Sequence, residues 1–196
     1  DLVLMSAPHE RAGAATGVVE YADLIGPHRV ESGDVVLALA SSGLHSNGYS
    51  LVRRVIAAAG WSLARPVEEF GQTLGEELLT PTRVYAADLL ALIRTPGIDV
   101  HALSHVTGGG LAANLARVLP GGTYARVDRS TWAPPAVFDG IGRLGRVPRS
   151  DLERTLNLGI GFVAVLPAAH AAAAEQVCRA RGIPAWVLGE VGEEAT

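Results

Sequence analysis

The sequence has little of what membrane, secreted and disulfide-bonded proteins need. It contains one cysteine, Cys178, which excludes an intrachain disulfide and a cysteine-based metal site. No apolar run approaches the roughly 20 residues of a membrane-spanning helix, and no secretory signal is visible. We therefore expect a cytoplasmic chain without a membrane partner. Because the chain does not begin with Met, we also expect it to be a fragment.

A concentration of positive charge is also missing. The formal net charge is −4, and no stretch gathers Lys and Arg as a nucleic-acid footprint would. Nucleic acid is therefore not an expected partner, and any phosphate must be held by a local site. The 196 residues, 48% of them hydrophobic and 18% charged, suffice for one large domain with its own core.

Several catalytic and binding motifs are absent as well. The chain has no Gly-Lys-Ser/Thr phosphate loop, no dinucleotide fingerprint and no Gly-x-Ser-x-Gly nucleophile elbow. Ser42, His45, Ser46 and Asp34 lie close in sequence, but a hydrolase is disfavoured without that elbow. His101 and His105 lie four residues apart, yet the stretch reads as extended, so no metal site is predicted and His101 is expected to be structural.

What is present is a strand, a polar loop and a helix in residues 34–60. Residues 34–40 form a continuous apolar run of strand length, and residues 51–59 have helical spacing before Gly60. The loop between them reads SSGLHSNGYS, with two glycines, an asparagine and a histidine. Such a loop at a helix start suits an anion, most often a phosphate, although an ordinary helix-capping turn would explain it about as well.

A second unit repeats this arrangement in residues 100–120. A β-like run enters Gly108, Gly109 and Gly110, and a helix is predicted over residues 111–119 before Pro120. Three successive glycines cost backbone entropy, and close approach of the backbone to a ligand would explain them. His105 directly precedes this run and is the more plausible ligand contact of the two histidines. Two such units predict that a small phosphorylated ligand is bound from two sides.

The remaining elements define the fold class. Residues 14–20 read as a weak strand, and Thr80 with Pro81 as the cap and first residue of a helix. Ser150 reads as the cap of a helical turn, and residues 157–166 as a buried strand. An Ala-rich helix over residues 168–180 precedes a last short strand at 185–188, after which the chain trails away. The pattern predicts an α+β or α/β layered fold in which helices cover a mixed sheet.

At these same loops the sequence resembles the family of phosphoribosylformylglycinamidine cyclo-ligase, also called aminoimidazole ribonucleotide (AIR) synthetase. The resemblance lies in co-linear blocks that span most of the chain: GDVV at 33–36, SSGLHSNGYSLVR at 41–53, PTRVY at 81–85, HVTGGG at 105–110, RVLP at 117–120 and NLGIG at 157–161. Related ATP-using enzymes share the fold, among them a purine amidotransferase, selenophosphate synthetase and thiamine-monophosphate kinase. The sequences of their glycine-rich loops differ from those of this chain.

The resemblance implies a cytoplasmic, dimeric enzyme of purine biosynthesis. It would convert formylglycinamidine ribonucleotide (FGAM) and ATP to AIR, ADP and phosphate, with Mg²⁺ assisting. His45 and Asn47 would line the reacting groove, with His45 a candidate for proton transfer or for orienting the phosphoryl group. The resemblance implies that substrate contacts come from the remaining loop residues: Ser42, Gly43, Arg83, His105, Thr107, Gly108, Gly109 and Gly110.

The resemblance covers only part of the family's chain. Residues 21–196 match its C-terminal domain, and residues 1–20 would be the tail of an N-terminal ATP-binding domain or a strand leading into the main domain. The absent N-terminal domain would supply most of the ATP and Mg²⁺ site and of the dimer contact. The chain alone is therefore expected to be inactive. The alternative is a non-catalytic phosphate-ligand-binding or assembly module of the same fold.

Overall fold

The computed structural model describes residues 2–5, 10–14 and 16–193. Its strands are β1 (Leu2–Met5), β2 (Glu10–Gly13), β3 (Asp34–Ala40), β4 (Pro66–Val67), β5 (Gln72–Thr73), β6 (Ala102–His105), β7 (Thr123–Val127), β8 (Ile160–Pro167) and β9 (Ala185–Glu193). Its helices are α1 (Tyr49–Ala59), α2 (Leu74–Leu78), α3 (Ala86–Arg94), α4 (Gly110–Ala116), α5 (Ala136–Gly145), α6 (Arg149–Thr155) and α7 (Ala171–Ala180).

A five-stranded sheet in the order β6-β8-β3-β9-β7 forms the centre of the described chain. The predicted α+β class is confirmed. The expectation of a mixed sheet is wrong, because all four strand pairs of this sheet are antiparallel. The connections that read as parallel crossovers do join strands of the same direction, as from β3 to β6 and from β8 to β9, but an antiparallel strand lies between the two strands in each case. The β1–β2 and β4–β5 pairs are separate two-stranded sheets.

The two faces of the sheet bury different sets of side chains. Leu37 and Leu39 of β3 pack with α3 and α7, whereas Val36 and Ala38 on the other face pack with Leu115 of α4. This alternation is the period of two that a strand buried on both faces produces. A third cluster, centred on the fully buried Phe138, joins α1, α5 and α6. These cores fix the strands whose ends carry the polar loops.

Several local predictions are wrong in their boundaries. Residues 16–20 are not a strand, although β2 occupies residues just before them. The helix expected at Thr80 and Pro81 begins only at Ala86, and α6 is preceded by Pro148 with no cap from Ser150. The last strand does not stop at residue 188 but continues to Glu193. Along its length this strand pairs with both β3 and β7. Residues 1, 6–9 and 15 of the expected N-terminal tail lie outside the described residues.

No helix of the described ranges is long and apolar enough to cross a bilayer.

Candidate ligand-binding site

Strand direction brings the two polar loops to one edge of the sheet. Both β3 and β6 pair antiparallel with β8, which lies between them, so β3 and β6 run in the same direction. Their carboxyl ends therefore meet at the edge where β8 begins. Residues 41–48 follow β3, and residues 106–109 follow β6. The sequence prediction that both loops face one ligand is consistent with this topology.

The first loop is held from inside by Asn157, which is 3% exposed. Its amide nitrogen donates to the carbonyls of Gly43 and Leu44 at 2.9 and 3.1 Å. Its amide oxygen accepts from the Gly159 N–H and from the Ser41 hydroxyl at 2.8 and 3.1 Å. One buried side chain thus satisfies four polar groups and fixes the loop conformation.

His45 is part of this loop rather than a free side chain. It is 3% exposed and has a φ of 58°, an uncommon conformation for a residue other than glycine. Its Nε2 accepts the Ser42 backbone N–H at 3.1 Å, which places the proton of the neutral ring on Nδ1. Burial, followed by the nearby His105 and Arg83, lowers the pKa of His45 to about 4. The ring is therefore neutral near pH 7.

An aromatic cluster continues from His45 along the sheet edge. Tyr85 is 4% exposed and packs edge-on against His45 with ring centroids 6.1 Å apart. Its hydroxyl donates to the Ala40 carbonyl at 2.7 Å, at the end of β3. His105 is exposed and stacks on Phe162 at 5.5 Å, and desolvation lowers the pKa of His105. The cluster joins residues from the ends of β3, β6 and β8.

Residues 79–85 pass across the first loop in an irregular conformation. The Ser42 hydroxyl donates to the Pro81 carbonyl at 2.6 Å, and the hydroxyls of Ser46 and Thr82 lie 3.0 Å apart. Burial raises the pKa of Tyr85, and Arg83 lies close enough for its charge to oppose part of that rise and to add to the lowering of the pKa of His45. The Nε of Arg83 is buried without a hydrogen-bond partner in the described part of the chain. Arg83 therefore lies beside the first loop, next to His45 and Tyr85.

The second loop is held by another buried asparagine, Asn114, on α4. Its amide nitrogen donates to the carbonyls of Thr107, Gly108 and Gly110 at 3.3, 3.3 and 2.7 Å. Its amide oxygen accepts the Thr107 hydroxyl at 3.2 Å. Asn114 is 2% exposed, so these bonds form in the interior behind the loop.

The three glycines of this loop have different structural reasons. A Cβ at Gly110 would overlap the Glu153 backbone, so packing of α4 against α6 requires glycine there. Gly109 has a φ of +100°, which disfavours a side chain. Gly108 has neither constraint: the only atom within 4 Å of a Cβ there is Asn47 Oδ1, at 3.9 Å. Gly108 is exposed and faces the first loop across a narrow gap.

The structure thus gathers the predicted residues at one sheet edge: Ser42, Gly43, His45, Asn47, Arg83, His105, Thr107, Gly108, Gly109 and Gly110. Sequence reasoning assigned no role to Asn114, Asn157, Tyr85 or Gly161. Three of these stand within the quoted sequence blocks, and Asn114 follows the last loop glycine by four residues. That spacing places a helical side chain back over the loop and could have identified Asn114.

Two other features lie apart from this edge. A cavity of about 680 Å³ is bounded by α4, β7 and Trp132, and Asn157 also lines it. His101 is buried with Nδ1 2.7 Å from Asp34 Oδ2, which suits a structural role. Within the described ranges, no cluster of three or more His, Cys, Asp or Glu side chains could hold a metal ion.

Comparison with solved structures defines the class of fold. A thiamine-monophosphate kinase from Stenotrophomonas maltophilia K279a superposes with a TM-score of 0.58 at 18% identity, covering 89% of this chain and 52% of that one. A hydrogenase maturation protein, HypE, solved in complex with ATP, superposes with a TM-score of 0.55 at 21% identity, covering 86% and 45%. At these identities the likeness shows a shared α+β domain fold.

Sequence comparison then identifies the family. The profile described as "AIR synthase related protein, C-terminal domain" matches residues 31–196. A provisionally named phosphoribosylformylglycinamidine cyclo-ligase of Streptomyces fradiae is 56% identical over 163 residues, 83% of this chain and 88% of that protein. The phosphoribosylformylglycinamidine cyclo-ligase of Sorangium cellulosum (strain So ce56) is 47% identical over 184 residues, 93% of this chain. The chain belongs to the AIR synthase related family and spans about half, 53%, of the Sorangium protein.

Proposed function

We propose that this chain forms the C-terminal half of an ATP-dependent cyclo-ligase that converts FGAM to AIR in de novo purine biosynthesis. The observation that carries the proposal is the identity of 56% and 47% to proteins named as this cyclo-ligase. The two loops that meet at the end of the sheet support it, because they bring backbone N–H groups and the Asn47 amide together at one edge, where a groove for a phosphorylated ribonucleotide would form. The remainder of the longer relatives would complete the groove, and the complete protein would act as a homodimer in the cytoplasm.

In this proposal the second loop holds the substrate phosphate. The backbone of Gly108, Gly109 and Gly110, with the Thr107 hydroxyl, would surround the phosphate oxygens. Gly108 supports this role because its open position is not explained by packing. Arg83 and His105 would add positive charge and a polar ring on the opposite side, next to Ser42 and Gly43.

Asn47 and His45 have different roles in this proposal. The Asn47 amide lies across the gap from Gly108 and would contact the reacting part of the substrate. His45 is neutral near pH 7 and its Nε2 is occupied by the Ser42 N–H, which favours orientation of the loop over proton transfer. The protein would then act mainly by positioning and by stabilising developing charge.

ATP and Mg²⁺ would be held mainly outside this chain. The described residues that surround the groove include no cluster of carboxylates suited to a divalent cation. ATP would supply the phosphoryl group that activates the formyl oxygen. This chain would contribute the substrate-phosphate loop and the groove residues.

A second function is favoured by one observation. This chain covers 88% of the Streptomyces relative but 53% of the Sorangium protein, so the Streptomyces sequence is much the shorter of the two. A short form could serve as a non-catalytic phosphate-ligand-binding or assembly module. Such a module would bind the ribonucleotide without turning it over.

Titration and reconstitution separate the two functions. FGAM is titrated calorimetrically into this chain, with inorganic phosphate as control, and AIR formation is then measured after adding the N-terminal part of the Sorangium protein with ATP and Mg²⁺. The cyclo-ligase predicts AIR formation that Asn47→Ala lowers at least tenfold. Binding without AIR formation would support the module. Absence of both would contradict the proposed function.

A further inference from the structure

The Asn114 side chain has a defined orientation behind the second loop. Its amide oxygen accepts from the Thr107 hydroxyl and from Arg117 Nη1, both at 3.2 Å. Its amide nitrogen faces the carbonyls of Thr107, Gly108 and Gly110. Since both donors require an acceptor, a flipped amide would place N–H groups against N–H and O–H donors. The orientation with nitrogen toward the loop carbonyls is therefore the one the network allows.

This orientation sets the direction of two loop N–H groups. In a trans peptide the carbonyl points opposite to the N–H of the next residue, and the described chain contains no cis peptide. The carbonyls of Thr107 and Gly108 point inward to Asn114, so the N–H groups of Gly108 and Gly109 point outward. Neither N–H has a partner among the hydrogen bonds of the described residues, whereas the Gly110 N–H donates to the Thr107 carbonyl at 3.1 Å.

The outward side is the groove. Gly108 is exposed and Gly109 is half-buried, while Asn114 behind them is closed to solvent. The first loop approaches from the same side, with Asn47 Oδ1 near Gly108. Two free backbone donors thus face the space where the proposed function places an anionic group.

We propose that Asn114 is a positioning residue that holds the Gly108 and Gly109 N–H groups toward the substrate phosphate. This inference rests on the proposed function, since that function places the phosphate at this loop. Asn114 does not touch the ligand. It acts by binding the carbonyls of the same peptides, so a carboxylate in its place would repel those carbonyls and turn the N–H groups away.

The test uses this chain, alone and reconstituted with the N-terminal part of the Sorangium protein, with ¹⁵N-glycine labelling of this chain and FGAM as the probe. The amide signals of Gly108 and Gly109 are followed during titration of wild type, Asn114→Asp and Ser104→Ala. Ser104 is the matched control because its hydroxyl donates to the Asn114 backbone carbonyl at 2.8 Å, in the interior, without touching a loop carbonyl. We expect Asn114→Asp to bind FGAM at least tenfold more weakly and Ser104→Ala to bind within twofold of wild type.

Each outcome bears on the inference. If a folded Asn114→Asp chain binds FGAM as strongly as wild type, the inference is overturned and the proposed function is not affected. The same holds if FGAM binds without changing the amide signals of Gly108 and Gly109. No FGAM binding by wild type in the reconstituted protein would overturn both. If the Asn114→Asp chain does not fold, Arg117→Gln is used instead. This substitution removes one donor to the Asn114 amide oxygen and so loosens the amide without removing it. An unchanged FGAM affinity of Arg117→Gln would contradict the inference.

Discussion

The hydroxyl oxygen of Tyr85 occupies the space that a side chain at position 161 would need. A Cβ on Gly161 would overlap this oxygen and would also lie 2.6 Å from Cε1 of His45. Glycine on β8 therefore lets Tyr85 reach the Ala40 carbonyl and lets His45 lie under the loop. This contact couples the end of β3 to the start of β8 and leads to the first prediction.

Gly161→Ala is expected to destabilise the chain by about 2–3 kcal/mol, because neither the buried Tyr85 nor the loop residue His45 can move freely. Urea unfolding followed by circular dichroism measures the change. Gly121→Ala is the control, since a Cβ there meets no atom within 4 Å. Equal stability of the two variants would contradict the packing argument.

Gly110→Ala and Gly108→Ala are expected to separate folding from ligand binding. Gly110→Ala should lower the melting temperature by several degrees, because the new Cβ overlaps the Glu153 backbone. Gly108→Ala should keep a melting temperature near that of wild type but weaken FGAM binding, because its methyl group enters the groove. Thermal melts and calorimetry measure the two effects. A large loss of stability in Gly108→Ala would show that this glycine is structural.

Tyr85→Phe removes one hydroxyl from a buried position. We expect a loss of about 1–2 kcal/mol in the free energy of unfolding, because the variant loses the hydrogen bond to Ala40 while the ring still fills its site. The aromatic contacts with His45 and Phe162 should persist. Chemical denaturation with an unchanged m-value would show this, and a variant as stable as wild type would show that the hydrogen bond contributes little.

Acid should destabilise the chain partly through His45. The pKa of His45 is about 4 in the folded chain and near 6.5 when unfolded. At a pH between these two values, His45 therefore binds a proton in the unfolded state but not in the folded state. Stability from this group is therefore present above pH 6.5, falls as the pH drops to about 4, and changes no further below that. Because a difference of one in pKa corresponds to about 1.4 kcal/mol, the expected loss is about 3 kcal/mol.

His45→Gln should flatten this part of the pH profile. Urea unfolding at several pH values between 7.5 and 4 compares the variant with wild type, and His28→Gln serves as an exposed control. If wild type and His45→Gln lose stability in parallel, another group is responsible for the acid sensitivity.

Local sequence signals predicted those elements in which the tertiary contacts favour the same structure as the local residues. The apolar run of β3 and the helix that ends at Gly60 were identified because burial and capping act within a few residues. Thr80 and Pro81 gave an equally good helix signal, but the Pro81 carbonyl accepts the Ser42 hydroxyl and the segment stays irregular. A tertiary contact outweighed the local capping preference there.

The last strand is a second case in which tertiary contacts outweigh the local sequence signal. Gly189 and Gly192 lower the β-propensity of its second half, which is why the strand was expected to end early. In the folded chain β9 lies between β3 and β7, and a Cβ at Gly189 would overlap the Arg126 carbonyl. The glycines that weaken the local signal are the residues that allow the close approach.

The sequence by itself determined the α+β class, the family and the two polar loops, because these depend on residue order and on spacing within single elements. Only the tertiary structure decided that the sheet is antiparallel, that β8 lies between β3 and β6, and that Asn157 holds the first loop from inside. The bonds from Asn157 to the first loop join residues more than 100 positions apart. Such contacts form only when the core places the strands, so no local pattern encodes them.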